Sequence, residues 1–175
     1  MEFVFNPSTQ EEEAFVPEDL VRLMPFGVTL STELHRPFLI LKDEKHEHTL
    51  PVAMNSLEAG VTLSQANKAA APVTPHKFTE VLLQSLNMQI SQCVFVEVKG
   101  SHQYVRLFMH GHATVPSFKM KAEEAMSLCL HLGTPIFATK KIMGQSQVLM
   151  AELDSLVKGV VESPMIFDRK HHYVM

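Results

Sequence analysis

Apolar and polar positions change period several times along the chain. Three short apolar runs follow one another between 26 and 54: Val28 and Leu30 ending near Ser31–Glu33, then Pro37–Lys42, then Thr49–Met54. The charged stretch Asp43–His48 separates the last two. Runs of this length bounded by polar clusters predict a meander of three strands. Pro51 donates nothing to a ladder, so the third strand starts irregularly or lies at an edge. Asn55 with Glu58 three residues on is a capping-box pattern, opening a helix to about Ala69. Thr74 as cap and Pro75 at the first helical position open a second helix, Lys77–Leu86. Phe78, Val81, Leu82 and Leu86 form its apolar stripe, and Asn87 is its left-handed stop.

A second block repeats the change of period. Ile90–Lys99 is rich in β-branched and aromatic residues, Gly100–Ser101 make a turn, and Tyr104–Met109 and Thr114–Lys119 flank a turn at His110–Ala113. Ala122–Leu132 reads as a helix stopped by Gly133, with Pro135 beyond it. Pro135–Ala138 is a short final strand, and Gln145–Val157 an amphipathic last helix carrying Val148, Leu149, Leu153 and Leu156. At the front, Pro17, Glu18 and Asp19 before Leu20, Val21, Leu23 and Met24 predict a short helix over 17–24. Strands and helices come in blocks rather than in alternation. The expected fold is therefore α+β, a largely antiparallel sheet with helices packed against it in a single domain. The expected divisions are 1–25 (an acidic segment and short helix), 26–143 (the domain) and 144–175 (a helix and tail).

Composition narrows the function classes. With 46% apolar and 19% charged residues among 175, the chain is not disordered. No apolar run is long enough to span a membrane. The acidic start does not resemble a secretion signal, and Cys93 and Cys129 lie in apolar segments as buried free thiols. A cytoplasmic protein with no membrane partner is expected. The net charge of −4 gives no general field for nucleic acid, which leaves only a local basic patch.

Few residues stand out as chemistry. P-loop, dinucleotide, zincin and nucleophile-elbow patterns are absent, and two cysteines 36 positions apart make no zinc ribbon. His76 lies in the first turn of its helix, where the dipole disfavours a protonated ring and suits a general base; a plain surface histidine is the simpler account. Glu58 is explained by the reciprocal half of the capping box. Lys119 and Lys121 alternate with Phe118 and Met120, as on a strand with one solvated face. With Glu123 and Glu124 beside them, and Lys140–Lys141 further on, they are alternatively a phosphate-binding patch. The pairs His46/His48, His110/His112 and His171/His172 invite a metal reading, although two ligands do not close a site.

Together, several segments resemble the bifunctional nuclease domain family of bacteria and plants. They are Leu39–Leu41, Leu50-Pro51-Val52, Glu58-Ala59, Pro75-His76, Leu86-Asn87 before Ile90 and Val94, Tyr104–Leu107, Glu124-Ala125 and Leu128–Phe137. The resemblance spans about 26–143. It implies a compact α+β domain that self-associates as a dimer or trimer and cleaves DNA and RNA. Departures from the family pattern fall on polar positions. Met54-Asn55 stand where the family has Ile-Gly, Lys77 and Lys119 stand where it has acids, and Lys121 replaces its Arg; Glu124 keeps its acid. Losing carboxylates weakens any site for a hard cation such as Mg²⁺ or Mn²⁺, and the lysines would repel one.

The favoured expectation is a homo-oligomeric binding or regulatory module with weakened or lost nuclease activity. The alternative is a metal-dependent nuclease on DNA or RNA. In it His76 is the general base, Glu58 and Glu124 are acid, base or metal ligand, Lys119 and Lys121 hold a phosphate, and Mg²⁺ or Mn²⁺ is the cofactor. A third reading is metal binding through the histidine pairs.

Overall fold

A computed structural model of the chain describes residues 19–31, 35–66, 75–112 and 114–145. The elements run β1 (Leu20–Ser31), β2 (Arg36–Asp43), β3 (Thr49–Ala53), α1 (Ser56–Ala66), α2 (His76–Ser85), β4 (Gln89–Lys99), β5 (His102–His110), β6 (Ser117–Lys121), α3 (Ala122–Leu132) and β7 (Ile136–Thr139). A further helix, α4, follows over 140–145. The seven strands form one sheet in the order β3-β2-β1-β7-β4-β5-β6. Every neighbouring pair is antiparallel except β4 with β7, which is parallel. The fold is thus α+β, with a mixed, largely antiparallel sheet in a single domain. No helix among the described residues is long and apolar enough to cross a membrane.

Punctuating residues act where the sequence places them. Pro51 lies on β3, the edge strand. Asn87 (φ 53°) ends α2 and Gly133 (φ 65°) ends α3, both in the left-handed conformation that closes helices. The expected helix over 17–24 is overturned, because Leu20–Ser31 is strand. Val21 and Leu23 face the core as alternate residues, and Leu20–Leu23 pair with Thr139–Ile136 of β7. The stretch is too short to separate a helical stripe from a strand face, and its partner lies at the far end of the domain. Pro25 is tolerated because it lies past the β7 pairing, next to the register shift between Pro25 and Gly27. The sixth strand starts at Ser117 rather than Thr114, since the Thr114 and Val115 N–H groups are taken by His112 Nδ1. The expected cap Thr74, the expected last helix beyond Gln145 and the acidic start lie outside the described residues.

The sheet curls strongly. Gln103 of β5 donates its side-chain amide to the Pro51 carbonyl of β3 at 2.9 Å, although four strands separate the two in the sheet. Arg36 of β2 reinforces the seam by reaching Glu123 of α3 at 2.6 Å. Enclosed by the curl is one apolar cluster. It includes Leu39, Leu41, Leu50, Val52, Phe95, Val105 and Leu107 from the sheet and Ala122, Ala125, Met126 and Cys129 from α3. Ile142 and Met143 of α4 join it, with the Thr139 hydroxyl accepting the Ile142 N–H at 3.3 Å. Cys93 and Cys129 are free and buried. A hydrogen bond to Cys129, together with burial, pushes the Cys93 thiol far above its ordinary range, so Cys93 is not poised to react.

Two glycines separate backbone need from mere presence. Gly111 (φ 88°) would place a Cβ 2.1 Å from the Asn87 carbonyl oxygen, so the turn after β5 packs directly on the end of α2. Gly60 lies inside α1 with open space around it. Gly111→Ala should destabilise the protein by about 2 kcal/mol or more. Gly60→Ala should stabilise it by roughly 0.5–1 kcal/mol. Thermal denaturation of the two variants checks both signs; equal effects would contradict the packing described.

Candidate functional site

Three helices meet on the side of α3 turned away from the sheet. In α3 the residues Ala122, Ala125, Met126 and Cys129 enter the core, so Glu124, Ser127 and His131, at helical spacing, line the opposite stripe. The Asn55 side chain accepts the Glu58 N–H at 2.8 Å, which starts α1. The other half of the expected capping box is replaced: the Glu58 carboxylate turns to α3 and accepts a hydrogen bond from the Ser127 hydroxyl. His76, at the start of α2, brings Nε2 to 2.8 Å from Ser127 Oγ and 4.0 Å from Glu58 Oε2.

The network continues along α2 and α3. The His76 and His131 rings lie 5.9 Å apart. His131 Nε2 is 3.0 Å from Glu80 Oε2, and Lys77 reaches the same oxygen at 3.0 Å. Hydrogen bonding by Lys77, helped by His131 and opposed by burial, holds the Glu80 carboxyl below its ordinary value. Burial pushes Glu58 up. Burial, and then the charge on His131, push His76 down. Glu58 and His76 therefore each move toward their neutral forms, the tendency that suits an acid–base pair.

Ser127 is completely buried, and this decides its role. A hydroxyl without access to substrate is not a nucleophile; Ser127 links Glu58 to His76. It has one proton, which in this arrangement goes to Glu58, so Nε2 of His76 carries the proton donated to Ser127.

The sequence candidates are thus only partly brought together. Glu58 and His76 converge. Glu124 is exposed one turn before Ser127 on the same stripe, outside the hydrogen-bonded network. Lys119 and Lys121 are on the other face of the sheet. They pair across strands with Arg106 and Tyr104, whereas Val105 and Leu107 point into the core. Lys119 is bonded to Glu97 and lies 5.2 Å above the Tyr104 ring. Lys121 is 3.9 Å from Glu123. Lys140 pairs with Asp19 at 3.5 Å.

A site for Mg²⁺ or Mn²⁺ needs several oxygen donors around one point. Among the described residues, Glu58, His76 and Glu124 do not gather their donor atoms into such a group, and Ser127 engages the carboxylate. These residues do not fit a hard-cation centre. The histidine pairs fare unevenly. His46 turns its ring edge-on to Phe26, away from a shared site with His48. His112 Nδ1 accepts the backbone N–H groups of Thr114 and Val115 at 3.2 and 3.0 Å. His171 and His172 lie outside the described residues.

Sequence reasoning missed Ser127, His131 and Glu80. The available signal was the polar series Glu124, Ser127, His131 recurring at helical spacing within an otherwise apolar helix. A sequence model described as the bifunctional nuclease domain matches residues 39–151, well over half of the chain. No curated protein matches the sequence.

Opposite pH signatures follow for the two linked residues. The depressed His76 contributes stability that is present above its ordinary value of 6.5 and lost as pH falls through its folded value. The raised Glu58 contributes stability that is present below its ordinary value of 4.5 and lost as pH rises through its folded value. His76→Gln should therefore gain on wild type as pH falls below 6.5, and Glu58→Gln should gain as pH rises above 4.5. Melting temperatures measured across this range check the result; pH-independent offsets would contradict it.

Proposed function

This chain belongs to the bifunctional nuclease domain family, and from that premise we propose that it is a nuclease-like module with weakened or lost cleavage activity that works as a homo-oligomeric binding unit. The observation that carries this reading is the separation of the polar residues that phosphodiester cleavage would need together. Glu58 and His76 are closed on a buried serine among the helices, while Lys119 and Lys121 form ion pairs on the opposite sheet face. An attacking water, a metal and a phosphate have no common point among these groups.

Self-association draws support from α2. None of its residues is buried, and Phe78, Val81, Leu82 and Leu86 are exposed. An apolar stripe of this kind at the surface of a soluble domain is characteristic of a contact face. A dimer or trimer is the assembly proposed, with nucleic acid as the candidate ligand.

The second reading, a metal-dependent nuclease, is supported by the approach of Glu58 to His76 and by the neutral tendency of both. In it His76 takes a proton from water, and Glu124, exposed nearby, is the remaining acid.

The full chain should show no Mn²⁺- or Mg²⁺-dependent cleavage of single-stranded DNA, RNA or duplex beyond that of a His76→Ala, Glu124→Ala double variant. Light scattering should report a stable oligomer, shifted to monomer by Phe78→Ser with Leu82→Ser. A strict monomer with metal-dependent cleavage that disappears in the double variant would establish the second reading instead.

A further inference from the structure

The turn between β2 and β3 holds a different constellation. Asp43, Glu47 and His48 each place one donor atom within 4.8 Å of the others, and no other group of three such donors converges this closely among the described residues. The turn is built around Asp43. Its Oδ1 accepts the His48 N–H at 3.0 Å, its own N–H reaches the His48 carbonyl at 3.2 Å, and its carbonyl accepts the His46 N–H at 3.1 Å. His46 takes the left-handed conformation (φ 58°) that the tight turn requires.

We propose that this turn binds a divalent cation of the borderline class, such as Zn²⁺ or Co²⁺, through the carboxylates of Asp43 and Glu47 and the imidazole of His48. Two donors each ~2.1 Å from one ion and separated by an ordinary coordination angle lie roughly 3.0–3.4 Å apart. Asp43 Oδ2 and His48 Nδ1 are already 3.1 Å apart, joined by a hydrogen bond from the ring; the Nδ1 proton is given up, with Nε2 carrying the ring's remaining proton, when Nδ1 takes the ion. Glu47 is exposed, so its carboxylate moves into place without repacking, and water completes the shell. An imidazole donor favours a borderline ion over Mg²⁺ or Ca²⁺, which select oxygen alone.

Charge and neighbours agree with a cation here. The Asp43 carboxylate is fixed in the turn by the His48 N–H, which it accepts through Oδ1. The ammonium of Lys42 is turned over the Phe26 ring at 3.5 Å. The same ring takes the edge of His46. The two histidines of the turn are thus distinguished: His48 faces the acids, and His46 is spent on packing. The site is independent of the Glu58–Ser127–His76 network.

The test uses the full chain freed of metal with a chelator, then titrated with Zn²⁺ by calorimetry and with Co²⁺ by visible absorption. Wild type and His46→Ala should each bind one equivalent at this site with the same affinity. His48→Ala and Glu47→Gln should lose at least tenfold, since even removal of supporting residues around a metal costs roughly ten- to hundredfold. Glu47→Gln changes an exposed side chain and leaves the turn's hydrogen bonds intact, which separates lost coordination from lost folding. In the wild type Co²⁺ should also broaden the His48 ring resonances. Absence of binding, unaltered binding in both His48→Ala and Glu47→Gln, or selective loss in His46→Ala would each overturn the proposal.

Discussion

The helix α3 must satisfy two environments at once, and much of the molecule follows from how it does so. Ala122 and Ala125 have small side chains, which let its backbone come close to the curled sheet, while Met126 and Cys129 fill the remaining space. That choice of inner face turns Ser127 and His131 outward onto α1 and α2. Ser127 is then fully buried under those helices, and a buried hydroxyl is costly unless it is bonded. Glu58 and His76 supply the partners. The polar centre is therefore also a packing requirement, which ties its residues to the fold before any chemistry is asked of them.

This double duty shapes what the centre can do. The Glu58 carboxylate accepts from Ser127, and His76 is braced by Ser127 on one side and lies beside His131 on the other. Glu80 and Lys77 extend the brace along α2. The lysines at 119 and 121 follow the alternation of β6, which sends them to the sheet face opposite the helices. Strand periodicity alone thus decides that they do not share a site with His76.

Legibility in the sequence varied with the range of the interactions concerned. The strands of both blocks, α3 and the helix stops at Asn87 and Gly133 depend on local period and backbone preference, and those were readable. The first part of β1, Leu20–Met24, was not, because a few apolar residues fit either period and the deciding partner, β7, is more than a hundred residues away. The insertion of β7 between β1 and β4 is likewise a matter of tertiary closure. For the site, Glu58 and His76 were legible as polar residues at helix starts. The capping pattern nevertheless misdirected the Glu58 side chain, since a carboxylate one turn into a helix reaches a neighbouring helix as easily as its own first N–H. Ser127 was hidden by looking like an ordinary small residue in an apolar helix.

The central claim is that the Glu58 carboxylate is committed to Ser127 and His76 and does not hold a catalytic ion. Amide spectra of isotope-labelled protein recorded during a Mn²⁺ titration measure this directly, because the paramagnetic ion broadens signals around wherever it binds. The account predicts that no broadening is centred on Glu58, His76 and Ser127. Selective, saturable loss of those three signals at low Mn²⁺ would contradict it.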